Sequence, residues 1–119
     1  AVEPVHSREE IERLHRRFPE NFKLFLANIR EELLAGAVVY ETRTVAHVQY
    51  IASSERGRDC GALDKLFLEL LAGAFRDKPF FDYGMSNQEN GRVLNKGLIE
   101  QKEGFGGRAV VHDFYTVPL

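Results

Sequence analysis

The residues of this chain that could do chemistry begin with a glycine-containing loop at positions 54–62 (SERGRDCGA). The loop follows a run rich in β-branched and aromatic residues and precedes an apolar pattern with helical spacing, so it predicts a strand–loop–helix unit. Free backbone N–H groups in the first turn of a helix bind anions, and a glycine just before them lets a phosphate approach closely. The loop therefore indicates a site for a phosphate-bearing ligand. A plain turn between a strand and a helix is the alternative interpretation.

Four residues of this loop are candidates for holding such a ligand. Arg56 and Arg58 supply guanidinium groups, whose planar geometry matches a phosphate. Gly61 and Ala62 supply the glycine and the first backbone N–H of the helix. The two arginines are also explained as solvated side chains beside a helix start.

The elements that must position this loop follow from the apolar pattern. The pattern predicts a helix capped by Ser7 that runs to about Arg17, strands at 22–29, 33–41 and 45–53, a helix at 62–75, a strand at 80–85, a helix at about 92–102 and a last strand at 109–117. Short connections make the first three strands an antiparallel meander. The strands at 45–53 and 80–85 are joined by a β–helix–β crossover, which makes them parallel. The predicted fold class is therefore α+β, with a mixed sheet of about five strands and helices on both faces.

Composition and charge limit the class of protein. The chain has 119 residues, 44% of them hydrophobic and 29% charged, which predicts one soluble globular domain over 1–119. A net charge of −2 argues against a nucleic-acid partner or an anionic membrane surface. The single cysteine excludes an internal disulfide, and no apolar run is long enough to span a bilayer, so we expect a cytoplasmic location. The histidines and carboxylates lack metal-ligand spacing, and no metal site is predicted.

The helix at 62–75 carries a second apolar row besides its main stripe. Leu68, Leu71 and Phe75 follow one another at helical spacing. Burying each such side chain is worth about 1.5–3 kcal/mol, so we expect the row to be covered. The cover is either the N-terminal helix or a partner, which would be another domain or a second copy of the chain.

The order of these elements and two motifs resemble the Gcn5-related N-acetyltransferase (GNAT) superfamily. The motifs are the Gly61-Ala62-Leu63 helix start and the run QKEGFGG at 101–107, and the resemblance covers about residues 22–117. It implies a GNAT-like mixed sheet and a glycine loop that binds the pyrophosphate of acyl-coenzyme A. The run at 101–107 is closer still to the FemAB-like branch, whose members carry two such domains in tandem and transfer aminoacyl or other acyl groups to amines.

The resemblance implies an N-acyltransferase-like domain, which would be the C-terminal half of a longer tandem-domain protein. The donor would be acetyl-coenzyme A, another acyl-coenzyme A or an aminoacyl-tRNA; the acidic net charge disfavours the tRNA for this piece alone. Two positions depart from the superfamily pattern. Leu63 stands where a small residue is usual, so we expect it to crowd a pyrophosphate, and Glu100 stands where many members carry a tyrosine general acid. The alternative is a non-catalytic, degenerate domain that packs against a partner domain and helps to form its substrate groove.

Acyl transfer to an amine requires a base, or a water relay to one. His47 is the candidate base because histidine changes its protonation near neutral pH, and a half-buried strand histidine with one hydrogen bond is the alternative interpretation. Gln49 is a candidate for binding the substrate. Strand alternation predicts that His47, Gln49 and Ile51 share one face, while Val48 and Tyr50 share the other.

The remaining candidates lie further along the chain. Ser86 and Asn87 follow the end of a predicted parallel strand, where open sheets bind ligands, so we assign them to substrate binding. Asn90 in the same turn is interpreted as a helix cap. Tyr115 is a second catalytic candidate as a proton donor, with packing of the last strand as the alternative.

Overall fold

The computed structural model describes residues 5–119, which fall into two compact units that meet in sequence at Gly84 and Met85. The elements of the first unit are α1 (Arg8–Arg17), β1 (Phe22–Ile29), β2 (Glu32–Glu41), β3 (Val45–Ser53), α2 (Glu55–Asp59), α3 (Ala62–Glu69) and β4 (Phe80–Asp82). The second unit contains β5 (Asn87–Gln88), β6 (Val93–Leu94) and α4 (Lys96–Gly104).

The first unit is built on a four-stranded mixed sheet with the strand order β1-β2-β3-β4. The β1–β2 and β2–β3 pairs are antiparallel and the β3–β4 pair is parallel. The predicted meander and the predicted crossover are therefore both confirmed. So is the fold class, an α+β architecture with a mixed sheet.

Helix α1 begins where its capping residues predict. The Ser7 hydroxyl accepts a hydrogen bond from the Glu10 backbone N–H at 3.2 Å, and the Glu10 carboxylate accepts one from the Ser7 N–H at 2.9 Å. This reciprocal pair satisfies two N–H groups that the helix cannot pair itself. Near the other end, His15 Nδ1 lies 3.2 Å from the Phe22 carbonyl oxygen, which links α1 to β1.

The core lies between the sheet and α3. Val39 on β2 and Val48 on β3 are register partners and both are buried. Their side chains lie on the face of the sheet that packs against α3. The buried residues of α3 recur at the helical spacing that the sequence predicts; these are Leu63, Leu66 and Phe67. Each such side chain stabilises the fold by about 1.5–3 kcal/mol.

The predicted second apolar row of α3 is wrong at Phe75. The helix continues as a π-helical turn over Leu70–Ala74, in which the Phe75 N–H donates to the Leu70 carbonyl at 2.8 Å. This wider turn inserts one residue and rotates Phe75 into the core, where its side chain is 4% exposed. The centroids of the Phe75 and Phe25 rings are 5.5 Å apart. Leu68 and Leu71 remain at the surface, 60% and 36% exposed.

One carboxylate ties three parts of the first unit together. Glu41 on β2 lies 2.5 Å from Lys23 Nζ on β1 and 2.8 Å from Lys78 Nζ, which precedes β4. Hydrogen bonds from Lys23 and then from Lys78 hold the pKa of Glu41 below its ordinary value. The carboxylate therefore stays ionised at neutral pH and keeps both contacts.

The second unit begins with a short hairpin, not with the predicted helix at 92–102. Strands β5 and β6 pair across a 3₁₀ turn, Glu89–Gly91, in which Asn90 has a φ of 55°. Helix α4 starts later because Asn95 supplies the cap, accepting from the Leu98 N–H at 3.0 Å. Asn90 is therefore a turn residue, since asparagine tolerates the left-handed region, and its predicted capping role is wrong.

The predicted last strand at 109–117 is not formed in the described part of the chain. Its apolar side chains are exposed, among them Val111, Phe114 and Tyr115. A strand needs a neighbouring strand for its backbone hydrogen bonds, and a favourable residue pattern does not supply one. The main sheet consequently has four strands instead of about five. Among residues 5–119 no helix has the length and apolar character needed to cross a bilayer.

Candidate functional site

The parallel strands β3 and β4 pair over a short stretch only. Val45 lies opposite Phe80, and the pairing ends with His47 opposite Asp82. Beyond this point β3 continues to Ser53, whereas β4 stops at Asp82. Two neighbouring parallel strands therefore cease to pair at His47 and Asp82. Ligand crevices of open sheets form at such carboxyl ends.

His47 and Asp82 form a hydrogen-bonded pair across the two strands. His47 Nδ1 lies 2.7 Å from Asp82 Oδ2, and His47 Nε2 lies 3.1 Å from Gln49 Oε1. Asp82 is held in turn by the Gly84 N–H, which donates to its other oxygen at 2.7 Å. Because a carboxylate only accepts, Nδ1 carries the proton of this pair, and Nε2 is the atom that can gain or lose one.

A β-bulge in β3 changes the predicted faces of this strand. Val39 pairs with Val48, but the preceding residue Val38 pairs with Tyr50, so Gln49 is the extra residue. Val38 lies on the same face as Tyr40, the register partner of His47, and Val39 lies on the opposite face. Tyr50 therefore lies on the His47 face. Strand alternation had predicted that it would share a face with Val48. Ile51 is shifted in the same way to the opposite face. The side chains of His47 and Gln49 are together, as predicted.

Two tyrosines share the sheet face of His47. Tyr40 is the register partner of His47 on β2, with ring centroids 6.3 Å apart. Burial, and then the neighbouring Tyr50, raise the pKa of Tyr40, so its phenol stays neutral at physiological pH. The Tyr50 hydroxyl accepts from the His6 N–H at 3.1 Å and lies 2.7 Å from His6 Nδ1. The segment before α1 is thereby attached to this face.

The loop after β3 forms a short helix that packs against the start of β2. Ser54 caps α2 by accepting from the Gly57 N–H at 3.0 Å, and its own N–H donates to the Leu34 carbonyl at 2.9 Å. Gly57 is buried against that same carbonyl, and a Cβ there would lie only 2.0 Å from the Leu34 oxygen. Gly57 was not among the predicted site residues, because the sequence does not show which strand the loop touches.

Replacing Gly57 with alanine is expected to lower the free energy of unfolding by about 3 kcal/mol, since the new methyl group overlaps backbone that cannot move aside. Urea denaturation measures this. Gly73→Ala is the matched control, because a Cβ at Gly73 meets no described atom within 4 Å. The control should change stability by less than about 1 kcal/mol. Equal stability of the two variants would contradict the packing of α2 on Leu34.

The start of α3 has the features that the anion-site prediction requires. Gly61 is its N-cap, with a φ of 68° and no side chain to bond the first-turn N–H groups. Ala62 and Leu63 follow and are both buried. Leu63, which we expected to crowd a bound pyrophosphate, is 8% exposed, and its side chain packs into the core. The helix start therefore presents backbone N–H groups without a competing side-chain cap.

The two arginines of the loop are both engaged within the chain. Arg56 forms an ion pair with Glu32 at the start of β2. Arg58 donates from Nη1 to the Ser53 carbonyl at 3.0 Å, which folds its guanidinium back over the end of β3. Both side chains are exposed, so exchange of these partners for a phosphate requires no unfolding.

The other predicted site residues belong to the second unit, which is described by itself. Ser86 accepts through its carbonyl from the Asn95 N–H at 2.8 Å, and Asn87 pairs with Leu94 in the hairpin. Tyr115 is exposed and its hydroxyl donates to Asp113 at 3.3 Å.

Asp82 is the functional candidate that the sequence analysis missed. The β3–β4 register places Asp82 opposite His47, and residue type and spacing along the short strand do not show this. That register depends on the position of β4 beside β3, which is set by the packing of α3, the helix that connects the two strands. The spacing of the sequence contains no signal for it.

The mixed sheet, with its antiparallel meander and its β–helix–β crossover, matches the folds of GNAT-like acetyltransferases. Residues 1–90 match the acetyltransferase (GNAT) domain. The chain belongs to the GNAT acetyltransferase domain family. No curated protein matches it significantly.

Three solved structures share the fold. A probable acetyltransferase is similar at 22% identity and a TM-score of 0.65, with 94% of this chain and 76% of that one covered. An aminoglycoside acetyltransferase from an uncultured soil metagenomic sample, in complex with sisomicin, is similar at 17% identity and a TM-score of 0.63, with 96% and 78% covered. The same enzyme in complex with trehalose is similar at 14% identity and a TM-score of 0.61, with 98% of this chain and 78% of that one covered. Family and neighbours together support acyl transfer as the general chemistry.

Proposed function

We propose that this domain transfers an acyl group from acyl-coenzyme A to an amine. The observation that carries the proposal is the His47–Asp82 pair at the point where β3 and β4 cease to pair, within a domain of the GNAT family. A base is needed there because an amine attacks a carbonyl only through its unprotonated nitrogen. The Nε2 atom of a histidine anchored through Nδ1 meets that need.

Each side chain of the pair has a distinct role in the proposed reaction. Acyl-coenzyme A supplies a carbonyl activated as a thioester. His47 takes one proton from the attacking amine at Nε2 and releases it to the departing thiol, so that a C–N bond replaces a C–S bond. Asp82 accepts from Nδ1, which holds the ring in one tautomer and stabilises the imidazolium that forms. Gln49 contacts Nε2 and is our candidate for meeting the amine.

We assign the phosphates of the donor to the start of α3. The uncapped N–H groups after Gly61, including that of Ala62, fit a pyrophosphate, and Arg58 and Arg56 are near enough in the chain to add charge. Acetyl-coenzyme A is our first choice of donor. An aminoacyl-tRNA stays the alternative, supported by the FemAB-like run at 101–107 and disfavoured by the net charge of −2.

The acceptor is proposed by class only. One structural neighbour is an aminoglycoside acetyltransferase in complex with sisomicin, so an aminoglycoside is a reasonable first amine to assay. Ser86 and Asn87 are our substrate-binding candidates from the second unit, and Tyr115 is the second candidate for a proton donor. A cytoplasmic location is proposed with this function, because coenzyme A thioesters are used there.

A second candidate function is a packing domain without catalysis of its own. Leu68 on α3 and Leu71 in the π-helical turn that follows it are exposed, and this is the surface that we expect a partner domain or a second copy to cover. This fits a half of a tandem FemAB-like protein. Phe75 is not part of that surface because its side chain is buried.

Calorimetric titration with acetyl-coenzyme A separates the two functions. The enzyme proposal expects binding in the micromolar range and about tenfold weaker binding by Arg58→Glu, because a cation beside the phosphates is replaced by an anion. Arg13→Glu, an exposed arginine of α1, is the matched control and should bind as the unaltered chain does. No binding by the unaltered chain, together with self-association that Leu68→Glu abolishes, would favour the packing domain.

A further inference from the structure

The side chain that faces His47 Nε2 is neutral and can act as donor or acceptor. Gln49 is the inserted residue of the β-bulge, and its side chain lies on the His47 face, with 3.1 Å between Gln49 Oε1 and His47 Nε2. Bulges that re-aim one side chain are common beside active sites. Without the extra residue, strand alternation could not also place Tyr50 on this face.

The chemistry of the two contacts distinguishes the nitrogens of His47. Asp82 fixes a proton on Nδ1 in every state, because the carboxylate can only accept. The oxygen of Gln49 pairs with Nε2 when Nε2 is protonated. A half-turn of the carboxamide presents its NH₂ group, which pairs with Nε2 when that atom is unprotonated.

We propose that Gln49 is a positioning residue that hydrogen-bonds His47 Nε2 in both protonation states by turning its carboxamide. The inference rests on the proposed function, in which His47 is the base. In the resting state the carboxamide NH₂ occupies the place that the N–H of an acceptor amine takes over. After proton transfer the carboxamide oxygen is available to the new N–H, so neither state leaves the ring nitrogen unsatisfied.

The described contacts place four titratable groups on the His47 face. Asp82 faces His47 from β4, Tyr40 from β2, and Tyr50 lies on the same face of β3, where its hydroxyl contacts His6. Asp82 is the one carboxylate among these four. A second carboxylate at position 49 would therefore favour the imidazolium from the other side of the ring.

Two substitutions of similar size distinguish positioning from simple packing. Gln49→Glu can accept from protonated Nε2 but cannot donate to the free base, so the acid limb of the kcat/KM profile should move up by about one pH unit. Gln49→Met loses both hydrogen bonds alike, so the rate should fall about tenfold with the profile unmoved. Gln101→Glu, an exposed residue of α4, is the control for the added charge.

The readout that does not depend on catalysis is the NMR titration of the His47 ring in the same variants. The inference is supported if the midpoint of the His47 titration moves to higher pH in Gln49→Glu and stays in place in Gln49→Met. Equal titrations in both variants would overturn it, even if the domain proves to be an active acyltransferase. If the unaltered chain transfers no acyl group while the titrations differ, the proposed function fails and the Gln49–His47 coupling stands.

Discussion

Replacing His47 with alanine is expected to lower kcat about 10²–10⁴-fold, the range that a positioned acid–base group contributes. The loss should fall on kcat more than on the KM for the acyl donor, because we place the donor's phosphates at α3 and not at His47. The release of free thiol from acetyl-coenzyme A, followed with an aminoglycoside as acceptor, measures both constants. The fold should persist, since the His47 side chain is one-third exposed and lies outside the core.

Two further variants make this result specific. Asp82→Asn keeps the size of the side chain but removes the charge that anchors Nδ1, so we expect a smaller loss than in His47→Ala and weaker stabilisation of the imidazolium. His112→Ala removes an exposed histidine of the second unit and should leave the rate unchanged. A His47→Ala variant with the full rate would remove His47 from the mechanism and favour the packing domain.

Replacing Gly61 with aspartate is expected to weaken the binding of acetyl-coenzyme A about 100-fold, which corresponds to about 2.7 kcal/mol. The new carboxylate would cap the first-turn N–H groups of α3 and repel the phosphates that we place there. Aspartate tolerates the left-handed backbone at this position better than most residues, so the helix should still form. Calorimetry gives the dissociation constant.

Gly61→Asn is the matched control, because asparagine has the same shape and the same tolerance of the left-handed region without the charge. It competes for the same N–H groups, so we expect about tenfold weaker binding. The urea midpoints of the two variants should agree closely. If aspartate and asparagine weaken binding equally, the phosphates are not near Gly61, and the proposed donor site is wrong.

Much of the fold follows from local pattern. The bounds of β1 and β3, the meander and the parallel β3–β4 pair agree with the prediction, because each depends on alternation, short polar connections or the length of one crossover helix. The errors occur where tertiary contacts override the pattern. A π-helical turn turned Phe75 inward, and residues 109–117 form no strand in the described chain despite a strand-like composition.

The candidate site was predictable only in part, for the same reason. His47 and Gln49 were identified from residue type and spacing, and the structure places their side chains in contact. Asp82 and Gly57 could not be ranked, because their importance lies in what faces them from another strand. Asp82 meets His47 through the parallel register, and Gly57 meets the Leu34 carbonyl.

The amino-acid pattern by itself determined α1, the three strands of the meander, α3 and β4 in their order, because periodicity and caps act over a few neighbouring residues. The class of chemistry was indicated by the resemblance to the GNAT superfamily. The tertiary structure alone decided which polar groups meet. A single inserted residue in β3 reversed the face of Tyr50, and the end of pairing between β3 and β4 joined a histidine to a carboxylate 35 positions away. The bulge in β3 and the length of the β3–β4 pairing depend on contacts between strands that are distant in sequence, so the local pattern did not reveal them.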